Sequence, residues 1–206
     1  MSQTKVGIID YGMGNLCSVE NAFRAIGVKY CFVRTPEVIN SVDRLLLPGV
    51  GSFNAGMLNL TENGLAEAIR IVVAKGTPLL GICLGMQLLV SHGDEGGLAV
   101  GLGLIPGKVC EFIPYDGLRI PHMGFNEVDV VSSSHLFGDI ANKSDFYFVH
   151  GYHVKVEDSN DIIAVSTHGN KFVAAIGHGN VFGTQFHPEK SQSQGLQLLK
   201  NFCAFA

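Results

Sequence analysis

Pro78-Leu79-Leu80-Gly81-Ile82-Cys83-Leu84-Gly85-Met86-Gln87-Leu88-Leu89-Val90 is the stretch that decides the fold. Leu79–Ile82 is a short apolar run that reads as a buried strand, and Gly81-Ile82-Cys83-Leu84-Gly85 turns directly from it into a helix carrying Met86, Leu88 and Leu89. A strand, Gly-x-Cys-x-Gly and a helix in sequence form the thiol counterpart of the nucleophile elbow. Its glycines allow a turn sharp enough to push the central side chain out at the top of a sheet. Unpaired N–H groups and the positive dipole end of a helix starting there favour a thiolate. A cysteine among apolar residues is equally often a small packing group, so spacing alone leaves Cys83 open between the two roles. Cys17, Cys31, Cys110 and Cys203 lie within apolar helix or strand patterns and read as packing residues.

Outward from this unit, the first 90 residues alternate strand and helix. Lys5–Ile9, Lys29–Val33 and Arg44–Leu47 read as strands. Asn15 is placed to cap a helix whose apolar face is Leu16, Val19, Phe23 and Ile26, with Gly27 stopping it. A second helix is expected from Glu62 to Lys75, with Leu65, Ala68, Ile69 and Val72 on one face. From Lys108 onward, short strands are separated by turn signals at Tyr115-Asp116-Gly117, His168-Gly169-Asn170 and His178-Gly179-Asn180. The last two lie between the β-rich runs Ile162–Ser166, Phe172–Ile176 and Val181–Thr184 and predict hairpins. Ser191 is expected to cap a final helix carrying Leu196, Leu199 and Phe202. No linker or repeat divides the chain, so residues 1–206 read as one α/β domain: a mixed, largely parallel central sheet with helices on both faces.

Composition narrows the function classes. Hydrophobic residues make up 47% of the chain and charged ones 16%, which excludes a disordered segment. Fourteen basic against eighteen acidic residues, without a run of like charge, leave no basic footprint for nucleic acid. The start MSQTKVGIIDYG is not read as a signal peptide, and the apolar stretch Pro78–Val90 is too short to span a bilayer. Five scattered cysteines without a Cys-x-x-Cys pair indicate neither a zinc site nor a disulfide framework. The expectation is a reduced, cytoplasmic protein with no membrane or nucleic-acid partner.

A nucleophile needs a base, and the base an orienter. Phe182-Gly183-Thr184-Gln185-Phe186-His187-Pro188-Glu189 supplies both: residues i and i+2 of an extended chain project to the same side, so His187 and Glu189 can point together. In Leu47-Pro48-Gly49-Val50-Gly51-Ser52, glycines after a buried strand let backbone N–H groups converge on an anion, as the oxyanion of acyl transfer requires, although a plain tight turn has the same signature. Gly12-Met13-Gly14-Asn15 lacks the third glycine of a dinucleotide loop, Cys17 standing in its place. His150 and His153, three apart, would face opposite sides of one strand, which argues against a metal pair.

Gly81-Ile-Cys83-Leu-Gly-Met-Gln87 and Phe186-His187-Pro-Glu189 together resemble the class I, triad-type glutamine amidotransferases, and the resemblance covers essentially the whole chain. It implies a flavodoxin-like core. Asp10-Tyr-Gly-Met-Gly-Asn15-Leu, Pro121-His-Met-Gly-Phe-Asn126 and Thr184-Gln-Phe-His-Pro-Glu-Lys190-Ser resemble the branch that serves as glutaminase subunits of imidazole glycerol phosphate synthase. Carried over by residue, the resemblance implies that Cys83 attacks the glutamine amide with His187 and Glu189 completing the triad. Gly51 and Leu84 would donate backbone N–H groups to the oxyanion, the peptide before Gly51 reorienting to do so. Gly49, Gln87, Glu95, Gly151 and Tyr152 would contact the substrate, Glu95 at its ammonium group. Asn15, Met123 and Lys190 would face a (βα)8-barrel synthase subunit in a heterodimer through which ammonia travels. No cofactor and no metal are implied.

Two positions depart from that pattern: Phe125 stands where the branch usually has Trp, and Gly151 where it has Ser or Thr. Both lie on the substrate or partner side. They leave open a paralogous glutaminase subunit that feeds ammonia to an amidotransferase of surface-sugar biosynthesis. A free-standing cysteine hydrolase and a regulatory module without activity are the readings outside this class. Gln87, Glu95 and the partner-facing blocks argue against the first, and the intact Cys83, His187 and Glu189 set argues against the second.

Overall fold

Consecutive leucines in Arg44–Gly49 face opposite sides. Leu46 joins one apolar cluster, Leu45 and Leu47 another, because side chains alternate across a strand. The same division separates Val6 and Ile8 from Ile9, and Leu80 and Ile82 from Leu79. A sheet apolar on both faces must be covered on both, and that requirement builds the fold.

The computed structural model describes residues 4–95, 97–114 and 117–205. The strands are β1 (Lys5–Ile9), β2 (Lys29–Val33), β3 (Arg44–Gly49), β4 (Leu79–Cys83), β5 (Val90–Gly93), β6 (Ala99–Val100), β7 (Ile105–Glu111), β8 (His122–Val130), β9 (Ser144–His150), β10 (Tyr152–Val156), β11 (Ile162–His168), β12 (Asn170–His178) and β13 (Val181–Thr184). The helices are α1 (Leu16–Ile26), α2 (Pro36–Ile39), α3 (Phe53–Glu62), α4 (Leu65–Ala74), α5 (Leu84–Leu88) and α6 (Gln192–Ala204). A nine-stranded sheet runs β2-β1-β3-β4-β13-β12-β11-β8-β9, and a four-stranded one β10-β7-β5-β6. The large sheet is parallel from β2 to β13 and antiparallel from there to β9. Val19 and Phe23 of α1 and Leu198, Leu199 and Phe202 of α6 cover one face. Phe53 and Leu60 of α3 and Leu65, Ile69 and Val72 of α4 cover the other. This is the mixed sheet that the sequence predicts, its parallel half built by the first 90 residues and β13.

This topology gathers the expected functional residues at one end. The C-terminal ends of β1, β3, β4 and β13 lie together because those strands are parallel. Counting antiparallel steps across β12 and β11 brings the start of β8, and hence the end of β9, to the same end. Ligands of open α/β sheets bind there as a rule.

Several local expectations hold. Asn15 Oδ1 accepts the Ser18 N–H at 3.3 Å, and Gly27 closes α1 at φ 70°. Both predicted hairpins form, β11–β12 and β12–β13. Others need correction. The helix expected over 62–75 is preceded by another, α3, whose Asn54, Gly56, Asn59 and Thr61 blur its apolar face, and Gly64 at φ 68° separates the two. Helix α5 stops after one turn and a half, and the chain passes into β5. Ser191 stands at the start of α6 but does not cap it; its hydroxyl donates to the His187 carbonyl at 2.6 Å and accepts the Tyr147 N–H at 2.9 Å. Tyr115 and Asp116 of the first predicted turn lie outside the described residues. No helix among the described residues is long and apolar enough to cross a membrane.

Candidate active site

Cys83 is the last residue of β4 and adopts φ 55°, ψ −111°, a left-handed conformation that is strained for a residue with a Cβ. Its neighbours leave it no alternative. A Cβ on Gly85 would stand 1.8 Å from the Leu47 carbonyl oxygen, and one on Gly81 would stand 2.6 Å from the Gly85 carbonyl oxygen. The elbow is therefore pressed against β3 and its own following turn, which only glycine permits on both sides of Cys83. The side chain is 6% exposed. The elbow thus does not project the thiol into open solvent, as expected; it sets the thiol in the wall of a cavity of about 380 Å³. The helix behind it has only five residues, so little macrodipole acts on the sulfur.

Val50, Gly51, Leu84, Gln87, Glu95, Gly151 and Tyr152 share that cavity wall with Cys83. Six of the expected substrate and oxyanion positions are among them. Gly49 is not: it lies beneath the elbow, paired in register with Cys83, where a Cβ would meet Tyr11 Oη at 2.4 Å and Leu84 Cβ at 2.9 Å. Its Cα side packs against Tyr11 and the elbow. Gly51 has φ +107°, and Met13 Cε sits 2.7 Å from where its Cβ would be. The loop after β3 therefore lies under Met13 of the Asp10–Leu16 block.

His187 and Glu189 meet as expected but by a different route. Strand β13 ends at Thr184, and Pro188–Lys190 is a single 3-10 turn, so the pair is not carried by an extended chain. The turn brings His187 Nδ1 within 2.7 Å of Glu189 Oε1, with both side chains 2% exposed. Backbone and hydroxyl bonds fix the imidazole's position: His187 N donates to the Tyr147 carbonyl at 2.9 Å, and Ser191 holds the His187 carbonyl. His187 Nε2 and Glu189 Oε2 are buried without a hydrogen-bond partner among the described residues. Burial works to lower the His187 pKa, but interaction with Cys83 and then Glu189 outweighs it and raises the pKa to about 9. The Cys83 sulfur meanwhile contacts the Val149 carbonyl at 3.9 Å and the Gln185 amide nitrogen at 3.8 Å.

The remaining polar groups have structural partners. Glu95 Oε2 accepts the Phe53 N–H at the start of α3 at 2.7 Å. Gln87 Nε2 donates to the Tyr152 carbonyl at 3.2 Å and to Gln185 Oε1 at 3.1 Å. Gln185, beside the sulfur, carries no motif of its own; only its place in the Thr184–Ser191 block could have drawn attention to it. His150 and His153 are not on one strand, because the chain breaks at Gly151, and both rings pack against Phe112. The alternation argument thus does not apply to them. Among the described residues no group of three or more His, Cys, Asp or Glu is placed to hold a metal ion. At the rim, Met123 and Phe125 are 64% and 51% exposed on β8, Phe125 lies edge-on to Tyr147, and Lys190 Nζ sits 5.8 Å from the Tyr147 ring. Asn15 is exposed at the start of α1, in the segment that follows the C-terminal end of β1.

A strained thiol, a buried imidazole–carboxylate pair and a cavity in the size range of small-ligand pockets make a site suited to acyl transfer. Comparison with known proteins agrees. Among solved structures, a glutamine amidotransferase superposes with TM-score 0.75 at 19% identity, over 96% of both chains. A Thermotoga maritima PurLQS structure gives 0.75 at 17%, over 97% of both. At such identities these show the shared fold. In sequence, the chain is 48% identical to the imidazole glycerol phosphate synthase subunit HisH 1 of Campylobacter jejuni strain 81-176, over 96% of this chain and 98% of that protein. It is 46% identical to the HisH subunit of Moorella thermoacetica, over 96% and 93%. The family model described as glutamine amidotransferase class-I matches residues 7–205, both motif blocks of the site included. Fold, sequence and the chemistry of the cavity converge, and the chain belongs to the class-I glutamine amidotransferase family.

Proposed function

We propose that this chain is the glutaminase subunit of an imidazole glycerol phosphate synthase, a single-domain cytoplasmic protein that hydrolyses glutamine and passes the ammonia to a (βα)8-barrel synthase subunit in histidine biosynthesis. One observation carries the reading: Cys83 lines a cavity beside the buried His187–Glu189 pair, in a chain nearly half identical, over almost its whole length, to proteins bearing that name.

The chemistry follows from the groups present. Cys83 Sγ attacks the side-chain amide carbon of glutamine, and the carbonyl oxygen takes up the negative charge. The N–H groups of Gly51 and Leu84, residues that line the cavity with the thiol, serve as donors to that oxygen. His187, its pKa raised to about 9, is the imidazolium at neutral pH and gives its Nε2 proton to the leaving nitrogen. Ammonia departs and a γ-glutamyl thioester remains on Cys83. Neutral His187 then takes a proton from water as the water attacks the thioester; glutamate leaves, and the sulfur departs as the thiolate beside the imidazolium, the state in which it attacked. Glu189 holds the imidazole with Nδ1 protonated throughout. The Glu95 carboxylate suits the substrate ammonium group, and the backbone of Gly151 and Tyr152 suits the far end of the substrate.

Met123, Phe125, Tyr147 and Lys190 form an apolar and cationic rim that suits a protein partner at the cavity end of the sheet. Phe125 and Gly151, the two departures from the branch pattern, favour a second reading in which the partner is an amidotransferase of surface-sugar biosynthesis. The test is glutamine hydrolysis by the purified chain alone, with the histidine-pathway barrel subunit, and with a sugar-modifying partner. Activation by the barrel subunit supports the first reading; activation by the other alone supports the second. Turnover of peptides or γ-glutamyl conjugates without any partner would overturn both.

A further inference from the structure

Two buried histidines that the mechanism does not use adjoin the cavity wall formed by Gly151 and Tyr152: His150, which is part of that lining, and His122. His150 Nδ1 is 2.7 Å from the Tyr152 carbonyl oxygen. A carbonyl only accepts, so His150 carries its hydrogen on Nδ1. Burial, the largest cause in each case, lowers the His150 pKa to about 3 and that of His122 to about 4. The neighbouring His153 and His168 rings push His150 the same way, and His168 does so for His122. Both rings are neutral. His150 Nε2 is then an acceptor, and the atom 3.1 Å from it, His122 Nδ1, must be the donor. His122 Nε2 in turn accepts from Asn126 Nδ2 at 3.1 Å. The Asn126 amide is oriented independently: Nδ2 donates to the Thr167 carbonyl at 2.8 Å, and Oδ1 accepts the Glu127 N–H at 2.9 Å. With backbone groups fixing both ends, every donor and acceptor in the chain has one assignment.

The Tyr152 carbonyl also receives Gln87 Nε2, whose other hydrogen goes to Gln185 Oε1, and Gln185 Nε2 reaches the Cys83 sulfur. One hydrogen-bonded path therefore runs from Asn126 on β8, beside exposed Phe125, to the thiol. His168 stacks on His122 at 4.2 Å, and Phe148 covers its ring at 4.8 Å, which keeps that imidazole buried.

We propose that His122 and His150 are positioning residues, a directional pair with both hydrogens on Nδ1 that fixes the Tyr152 carbonyl and with it the wall on which the substrate lies. The kinetic part rests on the glutaminase reading; the tautomers do not.

Two measurements test it. Long-range 1H–15N spectra of the full-length chain at neutral pH should show both rings as the neutral Nδ1–H tautomer, the less common one in solution. An Nε2–H tautomer or an imidazolium at either ring overturns the proposal. In the activated complex, His150→Phe should raise KM for glutamine about tenfold with kcat nearly unchanged, the effect of one lost hydrogen bond on ground-state binding. His150→Asn, which returns a donor to the Nδ1 position, should restore most of the loss. Equal KM in wild type and His150→Phe, or no rescue by Asn, overturns the positioning role. A wild-type complex that hydrolyses no glutamine refutes the glutaminase reading instead, and the tautomers then decide the claim about the pair.

Discussion

Glu189→Gln is the perturbation that separates a working imidazole–carboxylate pair from a buried polar contact. In the native protein His187 is raised from 6.5 to about 9 by Cys83 and Glu189 against the opposing effect of burial. The native state thus binds this proton more tightly than the unfolded chain does. Its stabilisation is fully present below about pH 6.5 and is lost as pH rises through about 9. At about 1.4 kcal/mol per pH unit, that interval is worth about 3 kcal/mol. Glutamine at position 189 keeps the size and an acceptor for Nδ1 but removes the charge, so burial should pull the imidazole down toward or below its ordinary value. Titration of the His187 ring by NMR, with denaturant unfolding at about pH 6 and about pH 9.5, reads both quantities. The wild type should titrate near 9 and lose stability over that range, and Glu189→Gln should flatten the loss. A wild-type imidazole titrating below pH 7, or a midpoint that Glu189→Gln leaves in place, would refute the reasoning.

Gly85→Ala should be among the most damaging single-methyl changes in the chain. Its Cβ would lie 1.8 Å from the Leu47 carbonyl oxygen, which belongs to the β3 backbone and has nowhere to go. A loss of about 3 kcal/mol or more in thermal or denaturant unfolding is expected, and a wild-type melting curve would contradict the packing account. Ser191→Ala should cost about 1–3 kcal/mol by leaving the partly buried Tyr147 N–H without its acceptor. It should also lower kcat by freeing the His187 backbone, and unchanged stability would show that another group satisfies that N–H. The isolated chain should hydrolyse glutamine at least about 100-fold more slowly than the complex with synthase ligand bound, the worth of one missing oxyanion donor. Equal rates would mean that the Pro48–Gly51 loop is already formed for catalysis.

The parallel half of the fold was legible because its determinants are local. The apolar runs at Lys5–Ile9 and Leu79–Ile82, the Asn15 cap and the Gly27 stop each act within a few residues. Helix α3 was not legible: Gly56 and three polar residues weaken its apolar periodicity, and what fixes it is burial of Phe53 and Leu60 beneath the sheet. The small sheet β10-β7-β5-β6 was missed for a similar reason, since the strand pairing of β5 with β7 is a tertiary event. At the site, sequence spacing identified Cys83, His187 and Glu189 as a set that the fold brings to one end. It misjudged the backbone that joins His187 to Glu189, because Pro188 starts a turn where alternation assumes a strand. Gln185, His122 and His150 were invisible as a path to the thiol: their relation consists of side-chain hydrogen bonds between strands far apart in sequence.

The central claim is that Cys83 makes the ammonia that a partner consumes. It is tested most directly by product formation in the reconstituted complex, fed either glutamine or ammonium, with wild type and Cys83→Ala. The account predicts that Cys83→Ala loses glutamine-dependent synthesis by several orders of magnitude, while ammonium-dependent synthesis and partner binding remain. Glutamine-dependent synthesis that survives in Cys83→Ala would contradict it.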